Sequence, residues 1–264
     1  SDDGLVYRTK DNGVNWENVT PKGLEETLIN SIEVSPHDPA TVYIATTRYK
    51  FNDFTPALYK STNYGQSWKL ISKTLPKEAY TKVVREDTAR KDLLFAGTVE
   101  GVYASWDGGL HWKSLQLNLP KTPITDLKVA HNDLVVATQG RSFWILDDLE
   151  FLRQTEGQTA KNTKLYTPTA AFWAHWYSSM NSNSPSGQDS FEGVNPATGM
   201  VLYYELNDAS KEQPIHLQIL DAEGRLVNEF HSDKDPNYKS YEGAPSPPKT
   251  LMNEKGLNRF VWNL

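Results

Sequence analysis

The sequence contains no cysteine among its 264 residues, which excludes disulfides and thiolate metal sites within this chain. No window approaches the run of about eighteen apolar residues that a membrane-spanning helix needs, so no membrane span is predicted. Lysine and arginine form no block and the formal net charge is −6, so a nucleic-acid partner is not expected. Aromatic residues are plentiful at 11%, with 8 Trp and 13 Tyr, which is typical of β-rich proteins.

Three segments share the eight-residue pattern [ST]-x-[DN]-x-G-x-x-W, here called a box. The boxes begin at Thr9, Ser61 and Ser105, so successive starts lie 52 and 44 residues apart (61 − 9 and 105 − 61). This spacing matches a four-stranded propeller blade of roughly 40–50 residues, and helical periodicity is absent. The positions given a structural role in the boxes are Asp11, Gly13, Trp16, Asn63, Gly65, Trp68, Asp107, Gly109 and Trp112.

Each box is predicted to form the tip of a β-hairpin. The hydroxyl at the first position and the carboxylate or amide at the third position can accept backbone N–H groups inside a tight turn. The glycine supplies a positive φ, and the tryptophan is predicted to be largely buried against a neighbouring hairpin. These needs explain the acidic side chains of Asp11 and Asp107, so we interpret them as structural rather than catalytic.

The end of the repeat region resembles the bacterial sortilin-like, Asp-box (BNR) repeat proteins, which are often labelled glycosyl-hydrolase-like. The resemblance is carried by Asp92-Leu-Leu-Phe-Ala-Gly-Thr98, by Ser105-Trp-Asp-Gly-Gly109 and by the run from Asp133 to Asp148. It implies that residues 1–153 are the C-terminal part of a β-propeller, with about three to four blades, and that the protein is extracytoplasmic. One departure is Gln139-Gly140, where that family is expected to have His-Gly.

The sequence changes character after the run Trp144-Ile-Leu-Asp-Asp-Leu149, which takes the place of a box hairpin in the last blade. Residues 154–189 are predicted to be a connector, with a flexible loop at Ser178–Gln188. Residues 190–264 show alternating strand patterns and resemble part of the Ig-like module that follows the propeller in the same proteins. The predicted fold class is therefore all-β, with Asp-box β-propeller blades followed by an Ig-like β-sandwich module.

Both predicted modules are short of strands, since propellers have about 4–8 blades and an Ig-like sandwich has about seven strands. We therefore expect the rest of a longer polypeptide, or a partner chain, to complete them. On this hypothesis the strand Asn258–Leu264 is an unpaired edge that exposes Phe260 and Trp262 to water.

The loops at the blade ends opposite the boxes are the predicted ligand face. The longest of them mixes cations with aromatic residues, which suits a glycan or protein ligand, although a merely solvated loop would have the same composition. The predicted ligand-binding residues are Arg48, Tyr49, Lys50, Asp53, Glu100 and Arg141.

No catalytic residue is identified from the sequence. Glycoside hydrolysis needs two carboxyl groups at a defined separation, and Asp53, Glu100 and Asp126 are the acids that could approach one funnel. The six histidines are scattered without an i, i+4 pair, so no metal site is expected, and no cofactor-binding motif occurs. Two functions remain: a secreted or cell-surface binding scaffold, which is favoured, and a glycoside hydrolase resembling the Asp-box xyloglucan-degrading enzymes.

Overall fold

The computed structural model describes residues 3–155, 157, 162–172, 196–208, 213–233, 238–239, 241–244 and 247–263. The chain divides into two compact units, Ser1–Gly157 and Gln158–Leu264, and each is described by itself. The predicted flexible loop at Ser178–Gln188 lies outside the described residues.

Residues 3–155 form four antiparallel sheets in which every strand pairs with its neighbour in sequence. The first sheet is the hairpin of β1 (Tyr7–Arg8) and β2 (Glu17–Asn18), and the second contains β3 (Leu28–Val34), β4 (Val42–Arg48), β5 (Asp53–Ser61) and β6 (Lys69–Leu70). The third sheet contains β7 (Thr81–Glu86), β8 (Leu94–Thr98), β9 (Val102–Ser105) and β10 (Lys113–Ser114). The fourth sheet contains β11 (Ile124–Ala130), β12 (Asp133–Thr138) and β13 (Phe143–Leu146). This strand order is that of propeller blades, as the repeat predicts.

The core of this unit lies between successive blades. All five residues of β8 are buried, which is typical of a strand covered on both faces. Three apolar clusters follow one another along the chain: Val6, Val19, Ile29 and Ile44 with Trp68; Tyr43, Leu58, Ile71, Val84 and Leu94 with Trp112; and Phe95, Val102, Ile124, Leu127 and Leu134 with Trp106 and Trp144. Each blade is therefore stabilised by the blades beside it.

The three boxes form the same hydrogen-bond network, as the sequence predicts. In the first box the Thr9 hydroxyl accepts the N–H of Gly13 at 2.8 Å, and Asp11 Oδ1 accepts the N–H of Asn15 at 2.8 Å. The equivalent distances are 2.8 and 2.9 Å in the second box and 2.9 and 2.9 Å in the third. The polar side chains of each box thus accept hydrogen bonds from the backbone N–H groups of their own turn and stabilise that turn.

The box glycines meet two requirements at once. Gly65 and Gly109 have φ values of +83° and +93°, which favour glycine. A Cβ on Gly65 would lie 2.9 Å from Val19 Cγ2, and one on Gly109 would lie 2.8 Å from Ile71 Cβ. These turns therefore pack directly against the preceding blade, which leaves no room for a side chain.

The box tryptophans differ in their burial. Trp112 is 7% exposed and donates its indole N–H to the Ile71 carbonyl at 2.7 Å. Trp68 is half-buried and donates to the Val19 carbonyl at 2.7 Å. The prediction of burial is wrong for Trp16, which is 61% exposed and donates to the Gly13 carbonyl of its own turn at 3.1 Å. The physical reason is that the described residues offer no blade before β1 against which this ring could pack.

The fourth blade ends in a helix, α1 (Glu150–Gln154), which the sequence pattern did not indicate because one short turn shows no periodicity. Arg153 Nη2 pairs with Asp87 Oδ2 at 2.9 Å, and the Asp87 carboxylate is fully buried. Trp106 donates its indole N–H to the Leu152 carbonyl at 2.8 Å. These contacts fasten the helix to the third blade.

The second unit contains two small antiparallel sheets within its described residues. One contains β14 (Lys164–Leu165), β15 (Met200–Leu206) and β18 (Gly256–Trp262), and the other is the hairpin of β16 (His216–Leu220) and β17 (Leu226–His231). Apolar side chains of the hairpin pack on a core that includes Leu202, Tyr204 and Phe260, and the Phe230 and Phe260 ring centroids are 4.7 Å apart. The unit is therefore two-layered, and its Ig-like nature stays a prediction.

Two expectations for this region are corrected by the strand pairing. Strand β14 lies inside the predicted connector 154–189, yet it pairs with β15. The prediction that Phe260 is exposed is wrong, because β18 pairs with β15 from Gly256 to Trp262 and Phe260 is 5% exposed. The other edge of β18 has no strand partner among the described residues, in keeping with the predicted unpaired edge. Trp262 is half-buried, and Leu264 lies outside the described residues.

We expect Trp112→Ala to lower the free energy of unfolding by about 3–5 kcal/mol, because it removes a buried aromatic ring and leaves a cavity. Trp16→Ala is the matched control, since the same box position is 61% exposed there. That substitution should change the free energy of unfolding by about 0.5 kcal/mol or less, as at other surface positions. Urea unfolding followed by circular dichroism measures both, and equal stability of the two variants would contradict the burial argument.

Candidate functional site: the loop face opposite the boxes

The two ends of each blade are chemically different. Strand β5 runs from Asp53 to the second box at Ser61, so the loop before Asp53 and the box lie at opposite ends of that strand. Strand β9 likewise separates Glu100, at one end, from the third box at Ser105. Loops that join second to third strands therefore lie at the blade ends away from the boxes, and we call these ends the loop face.

Arg48 is the centre of a charged cluster on the second blade. Its guanidinium pairs with Glu25, lies 3.9 Å from Asp53 Oδ2, and sits 5.4 Å above the centroid of the Phe51 ring. Hydrogen bonds from Thr55 lower the pKa of Asp53, and the charge of Arg48 lowers it further. Asp53 is thus an anion at neutral pH, and Arg48 is held in a defined position.

Three aromatic rings form a platform beside this cluster, made of Tyr49, Phe54 and Tyr80. Tyr49 and Tyr80 stack with centroids 5.7 Å apart, and Phe54 lies 6.0 Å from Tyr80. Tyr49 and Phe54 are each 42% exposed. Because Tyr80 comes directly before β7, the platform joins the second and third blades at the loop face.

Of the remaining predicted ligand-binding residues, Lys50 lies beside the platform, and Glu100 and Arg141 lie on other blades. Lys50 is exposed next to Tyr49. Glu100 of the third blade pairs with Lys121 at 2.9 Å. Arg141 of the fourth blade is exposed, and its backbone carbonyl accepts the indole N–H of Trp144 at 2.8 Å. The structure therefore brings Arg48, Tyr49, Lys50 and Asp53 together on one blade, with Glu100 and Arg141 on the next two.

Sequence reasoning missed Tyr80, Phe54 and Lys121 as parts of this face. Tyr80 and Lys121 lie in the loops that cross from one blade to the next, at Ile71–Tyr80 and Leu115–Pro123. Those crossing loops reach the same end of the blade as the loops that hold Arg48 and Glu100. Tyr80 could have been identified from the sequence because it is an aromatic residue immediately before the inner strand β7.

A line of charges follows the inner strands of three blades. Arg85 Nη2 lies 2.8 Å from Asp126 Oδ1, and Arg85 Nη1 lies 3.5 Å from Glu33 Oε2. Burial raises the pKa of Glu33, although the charges of Arg85 and Lys128 oppose that effect. Glu33 is the second-last residue of β3, so it lies towards the end of the blade away from the loop face.

The acids considered for hydrolysis are each held by a cation. Asp53 faces Arg48, Glu100 faces Lys121 and Asp126 faces Arg85. A general acid for glycoside cleavage needs a raised pKa, and the carboxyl with a raised pKa, Glu33, lies towards the box end.

A possible set of metal ligands occurs in the second unit. Among the described residues, His216, Glu229 and His231 each offer a ligand atom, and these atoms all lie within 4.8 Å of one another. Sequence reasoning missed this group because it looked for histidines close together in the chain. The turn sequence Asp221-Ala-Glu-Gly224 was the available signal, since pairing the strands on either side of it places His216 opposite His231.

No protein-family model matches this chain, and no curated protein matches its sequence. Among solved structures, YCF48 from Cyanidioschyzon merolae is 16% identical with a TM-score of 0.40, and the match covers 64% of this chain and 53% of that one. The GH74 enzyme of Niastella koreensis is 15% identical with a TM-score of 0.47, covering 90% of this chain and 35% of that one. The GH74 xyloglucanase from Xanthomonas campestris is 15% identical with a TM-score of 0.45, and the match covers 91% of this chain and 36% of that one.

The chain thus spans about half the length of the YCF48 structure and about a third of the GH74 enzymes. The assignment of its sheets to propeller blades rests on its own strand order and repeated boxes. Within the described residues, no helix has the length and apolar character needed to cross a membrane.

We expect the Glu33→Gln variant to gain stability relative to the parent as the pH rises. The raised pKa means that the neutral Glu33 carboxyl contributes its full stability below the unfolded pKa of about 4.3, and this contribution is lost as the pH rises through the folded pKa. Glutamine cannot ionise, so the variant does not lose this stability contribution as the pH rises. Urea unfolding of both proteins between pH 4 and pH 8 measures the difference, with Glu78→Gln as the exposed control. A constant difference across that range would contradict the burial of Glu33.

Proposed function

We propose that this chain is a β-propeller binding module that recognises a glycan or protein ligand at its loop face, rather than a hydrolase. The observation that carries the proposal is the aromatic platform beside the Arg48 cluster, in which exposed Tyr49 and Phe54 pack on the half-buried Tyr80. The function rests on this site, since a propeller fold alone specifies no activity.

The platform has the physical properties of a recognition surface. Flat aromatic rings offer a large contact area at low entropy cost, and sugar rings or apolar peptide side chains can stack on them. Arg48 is held by Glu25, Asp53 and the Phe51 ring, so its remaining donors are positioned before a ligand arrives. A positioned guanidinium favours hydrogen bonds to hydroxyl, carbonyl or carboxylate oxygens.

The hydrolase alternative is less well supported because Asp53, Glu100 and Asp126 are each engaged with a cation. At Asp53, hydrogen bonds from Thr55 and the charge of Arg48 lower the pKa, which opposes the protonated form that a general acid needs. We therefore propose that this chain contains no working acid pair at its loop face.

Exposed apolar side chains on the first unit indicate that further protein surfaces pack against it. Trp16, Ile32 and Val34 line a groove of about 830 Å³ beside the first hairpin and are 61%, 53% and 55% exposed. On the fourth blade, Phe143 and Ile145 are 75% and 60% exposed. We propose that further blades, from the same polypeptide or from a partner chain, cover these two surfaces. From the resemblance to Asp-box proteins we further propose that the protein lies outside the cytoplasm.

Substitution of the platform should weaken ligand binding with little change in folding. We expect Tyr49→Ala to raise the dissociation constant about 30-fold, which corresponds to the roughly 2 kcal/mol lost at a central interface tyrosine. Tyr64→Asn is the matched control, because Tyr64 is 48% exposed but lies in the second box, at the other end of the blade. Affinity electrophoresis against a panel of plant and microbial polysaccharides, with binding to a displayed peptide library as the second arm, identifies the ligand class.

The same panel tests the alternative. If the protein is a hydrolase, it releases reducing ends from one polysaccharide, and Glu100→Gln or Asp126→Asn abolishes that release. Release of reducing ends by the parent protein would overturn the binding-module proposal. Binding that Tyr49→Ala and Tyr64→Asn weaken equally would move the site away from the platform.

A further inference from the structure

The hairpin of β16 and β17 carries a set of polar side chains on one face. In its register His216 lies opposite His231, and Gln218 lies opposite Glu229. Because side chains alternate along a strand, these four residues share a face. The opposite face, with Leu217, Ile219 and Phe230, packs on the core of the second unit. The polar face is thus directed away from the core, and its position is set by partly buried side chains that pack on that core.

The four side chains are already in contact. The His216 and His231 ring centroids are 4.3 Å apart, and His231 Nε2 lies 2.7 Å from Glu229 Oε1. The other oxygen, Glu229 Oε2, accepts a hydrogen bond from Gln218 Nε2 at 2.8 Å. One ligand atom from each of the two histidines and Glu229 lies within 4.8 Å of the others.

We propose that His216, Glu229 and His231 bind a single Zn²⁺ ion and leave its fourth coordination position open. Two imidazoles and one carboxylate are a ligand set that zinc adopts at sites with one open position. Ligand atoms about 2.1 Å from a tetrahedral zinc are separated by about 3.4 Å. The present separations therefore need only small side-chain rotations to reach that geometry.

Gln218 has the role of a supporting residue in this site. A ligating carboxylate is usually hydrogen-bonded through its second oxygen, which fixes its orientation, and Gln218 supplies that bond to Glu229. An ordinary surface ion pair explains the contact between Glu229 and His231. It does not account for His216, whose ring centroid lies 4.3 Å from that of His231.

The open position lies next to space for a ligand. Glu229 and His231 also line a cavity of about 660 Å³, together with Asp233, Lys249 and Trp262. Lys249 Nζ is within 3.1 Å of Asn263 Oδ1 at the edge of this cavity. A small anionic or carbonyl group in the cavity would therefore have a cation from the chain and the metal as neighbours. This inference concerns the second unit and does not depend on the ligand proposed for the loop face.

The test is a zinc titration of the whole chain, free of affinity tags and first stripped of metal with EDTA. Isothermal titration calorimetry with ZnCl₂ alone should show one saturable site per chain. The absorption spectrum with Co²⁺ in place of zinc should show the intense visible bands of tetrahedral coordination. His216→Ala and His231→Ala should each abolish the site, and Gln218→Leu should weaken it about 10- to 100-fold.

The matched control is His111→Ala. His111 is an exposed histidine whose Nδ1 lies 2.6 Å from Asp107 Oδ2, so it is a histidine–carboxylate pair without a second histidine. Its removal should leave the zinc titration unchanged. Circular dichroism checks that every variant is folded, which is expected because the substituted side chains lie on the face away from the core. Absence of a saturable site in the parent, or retention of the site in His216→Ala, would overturn the proposal.

Discussion

The indole of a box tryptophan holds the second and the third blade to the blade before it. Trp68 and Trp112 donate their N–H groups to the carbonyls of Val19 and Ile71, each of which directly follows the outer strand of the preceding blade. The ring contributes buried apolar area, and the hydrogen bond fixes where that area is placed. Because the box glycine packs against the same residue, the turn and the ring together set the spacing between blades.

The two ends of a blade therefore have different roles. At the box end, the polar side chains accept hydrogen bonds from backbone N–H groups four residues further along the same turn. At the other end, the loops differ in length and chemistry from blade to blade, which is how a repeated scaffold acquires a specific surface. The aromatic platform lies there because the loops of two adjacent blades converge on it.

The two units have separate chemistry and can be tested separately. The loop face of the first unit combines stacked aromatic rings with a positioned arginine, and the proposed ligand binding rests on these groups. The second unit presents two imidazoles and a carboxylate on a hairpin whose other face is fixed in the core. Loss of zinc binding would leave the loop-face proposal intact, and loss of ligand binding at Tyr49 would leave the metal proposal intact.

Local sequence was enough to locate the boxes, the turns and most strands, because box hydrogen bonds lie within a few residues and strands alternate with a period of two. It also located the loop from Arg48 to Asp53. It could not show that Tyr80 reaches Tyr49, or that His216 meets Glu229 and His231, because these contacts join residues brought together by strand pairing and blade packing. The exposure of Trp16 and the burial of Phe260 were likewise decided by the tertiary structure, since a ring is buried only where another sheet covers it.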